Sequence, residues 1–311
     1  MTREDTTILI PTFKRPEKLR NCVQSILGGT LLPCEIVLVH RSGDDPTIQA
    51  IDELSASTDD VLVTKASVEE AGHIPPIEEG VKHCSTEFVC ILDDDTVVKE
   101  HWLEELLRPF AKDEVGVVGG PAVTPGRMEE VEPAGDAGKL RFYGQLGGGI
   151  MWLTEGSVRE VDTVPEGNSA WHTSLLRAIE IPAYLREGDS KWYGLYLTLS
   201  VMERGRTVVF NPSAFVHHYP SDKGGNLSRE KRGERMWFSS RNYSMIIIEK
   251  MGIHVFLVYF IYFSVLGTRR KVGLLSSIYM FANNEEDWRY LGNCMRGRLS
   301  AIGLYLKKKF D

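Results

Sequence analysis

No apolar run in this chain is long enough to cross a bilayer as a helix. The longest, Ile253 to Gly267, has fifteen residues against the roughly 20 that a span needs. Positive charge is also in deficit. Lys and Arg number 36 against 43 Asp and Glu, a formal net charge of −7, which argues against a general nucleic-acid binder. No RNA or DNA motif appears. Cysteine is sparse and unpatterned: Cys22, Cys34, Cys84, Cys90 and Cys294 are odd in number and lack metal-ligand spacing, which argues against a disulfide framework or a thiolate zinc site. The opening MTREDTTILIP has no long apolar stretch of the secretory kind, so a reducing cytoplasm is the expected home. No internal repeat is visible, and the apolar and charged fractions, 42% and 25%, are those of an ordinary globular protein.

What is present is an alternation. Short apolar runs at Thr7–Ile10, Glu35–His40, Val61–Val63, Phe88–Leu92 and Val115–Gly119 read as strands. Helical segments about Pro16 to Leu27, Asp45 to Leu54 and Pro76 to His83 separate the first four. Such alternation predicts an α/β domain with a mostly parallel sheet. The segment Pro121 to Asp162, with Gly147-Gly148-Gly149, reads as loops and short strands, its glycines serving turns.

Directly behind the fourth run stand Asp93, Asp94 and Asp95. Ligands of open α/β sheets bind outside the carboxyl ends of the strands, where this triplet falls. Three adjacent carboxylates repel one another and favour a cation beside them, and hard oxygen ligands suit Mg²⁺ or Mn²⁺. The competing reading is a solvated acidic turn with an Asp cap before a helix from Val97 to Leu107.

The ordered segments ILIPTFKRPEKLRNCVQSIL, VLVHRSGDDPT, FVCILDDDTVV, EGNSAWHTSLLRAI and RGRTVVFNPSAFVHHYP together resemble the family 2 glycosyltransferases over roughly Thr6 to Pro220. The resemblance implies a GT-A fold, a Rossmann-like, mostly parallel central sheet flanked by helices. It divides the chain into a catalytic domain at 1–220, with a nucleotide-binding half to about 120 and an acceptor half beyond, and a helical C-terminal extension at 221–311. It further implies an inverting, metal-dependent transfer from a UDP- or GDP-linked sugar, with Mn²⁺ or Mg²⁺ as cofactor. In that pattern Asp95, Asp93 and His218 hold the metal, Asp93 and Asp94 reach the nucleotide sugar, and Pro11, Thr12 and Arg15 cradle the nucleotide. Arg41 stands where a base or phosphate is met, and Asp44 or Asp45 either accepts a hydrogen bond from the base or caps the next helix. Asn168 and Trp171 fall where the family lines its sugar pocket, although Trp171 suits a core equally well.

One position departs from the family. The acidic residue that takes the acceptor's proton is expected about ten residues before Gly205, where this chain has Tyr193-Gly194. Asp189 and Glu187, in REGDSKWYG, are the nearest substitutes, with Asp189 brought into place by a small shift at Gly188; alternatively both merely cap the next helix, and the chain is a catalytically degenerate member that binds nucleotide sugar or serves as a membrane-associated scaffold.

Beyond Pro220 the composition shifts. A helix about Met236 to Lys250 precedes the apolar run Ile253 to Gly267, which is followed by Arg269-Arg270-Lys271, a second apolar patch at Leu274 to Phe281 and the basic tail Lys307-Lys308-Lys309. Aromatic content with flanking cations fits an interfacial helix. The segment therefore predicts peripheral attachment to the cytoplasmic face of a membrane, with a true span or plain core packing as alternatives, and the family resemblance implies a lipid-linked or cell-surface glycan as acceptor.

Overall fold

The computed structural model describes residues 5–58, 60–126, 135–220, 232–268 and 271–310. In chain order the elements are β1 (Thr6–Thr12), α1 (Pro16–Leu27), β2 (Glu35–Arg41), α2 (Asp45–Ser57), β3 (Leu62–Val68), α3 (Ile74–His83), β4 (Phe88–Leu92), β5 (Thr96–Val98), α4 (Trp102–Leu107), β6 (Val115–Gly119) and β7 (Ala122–Val123). Then come β8 (Arg159–Val161), β9 (Asn168–His172), α5 (Thr173–Arg177), α6 (Ala183–Arg186), α7 (Tyr193–Met202), β10 (Thr207–Phe210) and β11 (Val216–His218). The C-terminal helices are α8 (Arg232–Met251), α9 (Ile253–Val265), α10 (Leu274–Ala282) and α11 (Leu291–Phe310). Two compact units are distinguished: Met1–Lys139 with Gly147–Glu180 and Leu197–Leu227, and Leu140–Leu146 with Ile181–Tyr196 and Ser228–Asp311. The second unit thus takes two inserts, around 143 and 189, from the stretch before 220.

The first unit is built on an eight-stranded sheet of order β3-β2-β1-β4-β9-β6-β10-β8. Strands β3, β2, β1 and β4 run parallel, as do β6 and β10, while β9 lies antiparallel between β4 and β6. Both β4 and β6 are buried along their whole length, which is why they read as unbroken apolar runs rather than alternating ones. Ile8, Ile10, Leu38, Cys90 and Leu92 from the sheet pack with Leu19, Val23 and Ile26 of α1 in the main core. A second, three-stranded sheet of order β5-β11-β7 pairs β11 antiparallel with β5 and parallel with β7.

Two expectations are corrected. Pro11 does not end the first strand, which continues through Thr12; proline holds a compatible φ and sits at the strand's exit, where one ladder donor is dispensable. Nor does a helix follow the acidic triplet directly. Thr96-Val97-Val98 forms β5, whose β-branched residues pair with β11, and the helix starts only at Trp102. The glycines near 147 do serve a close turn: Gly149 has φ +88°, and a Cβ on Gly147 would lie 2.0 Å from the Asp136 carbonyl oxygen.

Within the second unit the four C-terminal helices carry an apolar interior. Gly297 of α11 lets that helix approach α8 closely, since a Cβ there would meet the Trp237 carbonyl oxygen at 2.5 Å. Arg241 is buried but fully engaged, with Glu187, the Tyr184 carbonyl and Asn242 accepting from its guanidinium. The Lys271 ammonium faces aromatic rings, 3.2 Å from the Tyr243 centroid and 4.9 Å from that of Phe263, and desolvation there holds its pKa well below the ordinary lysine value.

The β1–α3 packing gives a direct stability test. A Cβ on Gly80 would lie 2.1 Å from Leu9 Cδ1 and 2.9 Å from Val39 Cγ2, both in buried strands. Gly80→Ala is expected to lower unfolding free energy in urea by about 1–3 kcal/mol, as overpacking does. Unchanged stability would contradict the close packing of this helix on the sheet.

Candidate active site

The carboxyl end of β4 delivers the Asp triplet to a point where three other segments of the first unit meet. The backbone fixes it there. The Asp93 amide donates to the Gly167 carbonyl at 3.1 Å, the Thr96 hydroxyl donates to the Asp93 carbonyl at 2.7 Å, and the Tyr219 amide donates to the Asp95 carbonyl at 2.8 Å. Gly167 is required for this packing, because a Cβ there would lie 2.0 Å from Asp93 Oδ2.

Each carboxylate then has a different set of neighbours. Asp94 is buried; its Oδ2 accepts from the Thr12 hydroxyl at 2.8 Å and its Oδ1 from Arg15 Nη1 at 3.0 Å. Asp95, also buried, takes the same Arg15 nitrogen at 2.8 Å on one oxygen, and His218 Nε2 lies 3.2 Å from the other. Asp93 keeps a solvent-facing side. His218 arrives because β11 pairs with β5 so that His218 stands opposite Thr96, the residue after the triplet. Alternation along the strand sends the side chain of His217 the other way, edge-on to Phe215, and leaves His217 outside the cluster.

These contacts set the electrostatics. Burial would raise Asp95, but the hydrogen bond and charge of His218, together with Arg15, outweigh it and hold the group below the ordinary carboxylate value. Reciprocally, burial would lower His218, and the carboxylates of Asp95 and Asp93 overcome it and raise the imidazole. Asp93 is pushed up to about 6 by desolvation and then by the charge of Asp95. Asp94 is likewise raised to about 6 by burial, against the pull of Arg15. Negative charge thus remains in excess at Asp93.

Asp93, Asp95 and His218 can each direct one ligand atom so that all lie within 4.8 Å of one another. Two carboxylate oxygens and an imidazole nitrogen form a donor set suited to Mn²⁺ or Mg²⁺. The fit is therefore good. A proton on His218 and a metal would compete for the same nitrogen.

The remaining candidates separate by location. Pro11, Thr12 and Arg15 line the exit of β1, with Lys14 held in the left-handed region at φ +55°. The Lys14 amide donates to Asp44 Oδ2 at 2.5 Å, so Asp44 makes neither the expected helix cap nor an open acceptor; it ties the β1 exit to the β2 exit. Asp45 is exposed at the start of α2. Arg41 lies over the Phe13 ring at 5.2 Å.

Asn168 and Trp171 are not pocket residues in this structure. Asn168 is completely buried, its Oδ1 accepting from Trp102 Nε1 at 2.9 Å and its Nδ2 donating to the carbonyls of Pro121 and Ala214. Trp171 is 2% exposed and donates to Ser169 Oγ. Both lie on β9, a strand between β4 and β6 that the sequence reading did not anticipate, and strand burial claims their side chains. Asn168 instead positions the loops after β6 and before β11. Gly167, Thr96 and Tyr219 carry no signal in the sequence, because Gly167 and Tyr219 act through their backbone and the Thr96 hydroxyl meets a backbone carbonyl.

Asp189 belongs to the second unit, in a loop where Gly188, Ser190 and Trp192 all have positive φ, at 66°, 53° and 74°. The carboxylate is 8% exposed. Arg235 Nε donates to its Oδ2 at 3.3 Å, and its Oδ1 has no hydrogen-bond partner among the described residues. Tyr193, where a carboxylate was expected, opens α7 and is itself buried.

Residues 7–148 match the sequence profile of glycosyl transferase family 2. The chain is 30% identical to the O-antigen biosynthesis protein RfbC of Myxococcus xanthus over 183 residues, 58% of this chain and 14% of that protein. It is 23% identical to the poly-beta-1,6-N-acetyl-D-glucosamine synthase of Staphylococcus aureus over 158 residues, 49% of this chain and 38% of that protein. It thus spans well under half the length of these relatives. Among solved structures, S. aureus TarS 1–349 in complex with UDP-GlcNAc superposes with a TM-score of 0.61 at 13% identity, covering 98% of this chain and 92% of that one. The mannosyltransferase PcManGT of Pyrobaculum calidifontis, in complex with GDP-Man and Mn²⁺, gives 0.57 at 12% identity, covering 96% and 86%. At these identities the likeness establishes the fold, which is GT-A.

The excess negative charge has a measurable consequence. The folded-state value of Asp93, about 6, lies above the ordinary 3.8, so the folded chain carries no penalty below the lower value and the whole penalty above the higher one. In metal-free buffer, Asp93→Asn is expected to stabilise the protein at pH 7 by roughly 1 kcal/mol, discounted for the open face of the group, and to have little effect at pH 4. Thermal melts at the two pH values check it; equal effects at both would contradict the assignment.

Proposed function

Residues 7–148 belong to glycosyl transferase family 2, and from that premise we propose that the chain is an inverting, divalent-metal-dependent glycosyltransferase. Its donor is a UDP- or GDP-linked sugar and its acceptor a lipid-linked or cell-surface glycan. The observation that carries the reading is the convergence of Asp93, Asp95 and His218 beside Arg15 at the strand exits of the sheet.

In the proposed reaction an acceptor hydroxyl attacks the anomeric carbon, the bond from that carbon to the diphosphate oxygen breaks, and the nucleoside diphosphate leaves with the bonding pair. Mn²⁺ or Mg²⁺, held by Asp93, Asp95 and His218, would supply Lewis-acid stabilisation for charge growing on the leaving diphosphate. Arg15, already between Asp94 and Asp95, brings a permanent cation to the same place. Phe13 and Arg41 offer a flat cationic surface for the base. Asp189 is the proposed acceptor of the hydroxyl proton, its uncommitted Oδ1 being the atom that would take it.

A second reading, a family member that binds nucleotide sugar without turnover, draws on Tyr193-Gly194 in place of a carboxylate and on the tie between Asp189 and Arg235. Two variants separate the readings. Asp95→Ala is expected to weaken Mn²⁺-dependent UDP or GDP binding at least about tenfold by calorimetry. Asp189→Asn is expected to retain that binding while transfer falls on the order of 10²–10⁴-fold in a donor-turnover assay. Full transfer by Asp189→Asn would remove Asp189 as the base, and nucleotide binding by wild type that ignores metal would remove the metal from the donor site.

A further inference from the structure

Helices α9 and α10 carry outward apolar stripes that nothing among the described residues covers. On α9 the exposed residues Leu257, Val258, Ile261 and Val265 follow helical spacing, while Phe256, Tyr259 and Phe263 turn inward. On α10 Leu274, Leu275, Ile278 and Tyr279 are exposed and Ser277 and Met280 buried. The two helices form a closed hairpin. Gly267 has φ +68°, a Cβ there would lie 2.1 Å from the Gly273 amide nitrogen, and the Ser276 amide donates to the Leu266 carbonyl at 3.0 Å. The stripes are therefore presented by two helices held together at Leu266 and Ser276.

We infer that this hairpin is a docking surface for an anionic lipid bilayer, lying in the headgroup region without crossing it. Two observations select that occupant. First, no helix among the described residues is long and apolar enough to cross a membrane, and α9, with 13 residues, is about 20 Å long. Second, from 251 to 284 the sequence has no Asp or Glu, while Arg269 and Arg270 stand in the sequence between α9 and α10, a charge pattern complementary to anionic headgroups. The inference is independent of the transferase reading, because it uses none of the donor-site residues.

Flotation of the full chain with vesicles tests it. Binding is expected to phosphatidylcholine vesicles containing one-third phosphatidylglycerol, to fall with added salt, and to be much weaker with phosphatidylcholine alone. The double variant Ile261→Asp, Ile278→Asp is expected to lose at least about tenfold in bound fraction, while Leu62→Asp, at an exposed apolar position of the first unit, keeps wild-type binding. Both variants change exposed side chains, and matching far-UV circular dichroism and melting curves establish that they are folded. Absence of binding to anionic vesicles, equal binding to neutral ones, or full binding by the double variant would overturn the proposal. So would a vesicle-free dimer that the double variant dissociates in sedimentation while wild type ignores vesicles, since the occupant would then be a second copy.

Discussion

Mutual repulsion among Asp93, Asp94 and Asp95 is the constraint around which the first unit is arranged. Three carboxylates at the end of a buried strand cannot all stay ionised without positive charge or hydrogen-bond donors close by. Arg15 meets two of them and Thr12 a third oxygen, both from the exit of β1, and His218 comes from β11. The exit of β1 and the small sheet containing β11 are therefore tied to β4 through charge as well as through backbone pairing. Among the described residues nothing donates a hydrogen bond to the Asp93 carboxylate, and that links the fold to its proposed chemistry.

The scaffold below the site also holds a buried polar network. Asn168 is wholly buried and makes three hydrogen bonds, holding the Pro121 and Ala214 carbonyls and Trp102 at fixed distances. Leaving such groups unpaired would cost free energy, so the network favours one loop arrangement. Gly167 then gives Asp93 the space its carboxyl occupies. Neither residue needs to touch a ligand to matter to the site.

The sheet was legible because its central strands are short, apolar and separated by helices of ordinary length, and the limits of α1, β4 and β6 follow directly from those runs. Asp93, Asp95 and His218 were legible because carboxylates at a strand's end and a histidine near the family's closing segment carry distinct chemistry, and the structure brings the three together. Other features were not. Thr96-Val97-Val98 becomes a strand only through pairing with β11, more than a hundred residues later, and β9 joins the sheet as an inserted antiparallel strand that turns Asn168 and Trp171 inward. Asp44 is claimed by a backbone amide in a left-handed turn, which no residue pattern announces. Each miss comes from long-range pairing or backbone geometry overriding a local preference.

The proposed chemistry requires Asp93, Asp95 and His218 to form one metal site serving a nucleoside diphosphate. An anomalous-difference map from crystals grown with Mn²⁺ and UDP tests it most directly. A manganese peak is expected within bonding distance of all three side chains, with diphosphate oxygens completing its coordination. A peak bound elsewhere, or diphosphate bound at the strand exits with no metal between it and Asp95, would contradict that assignment.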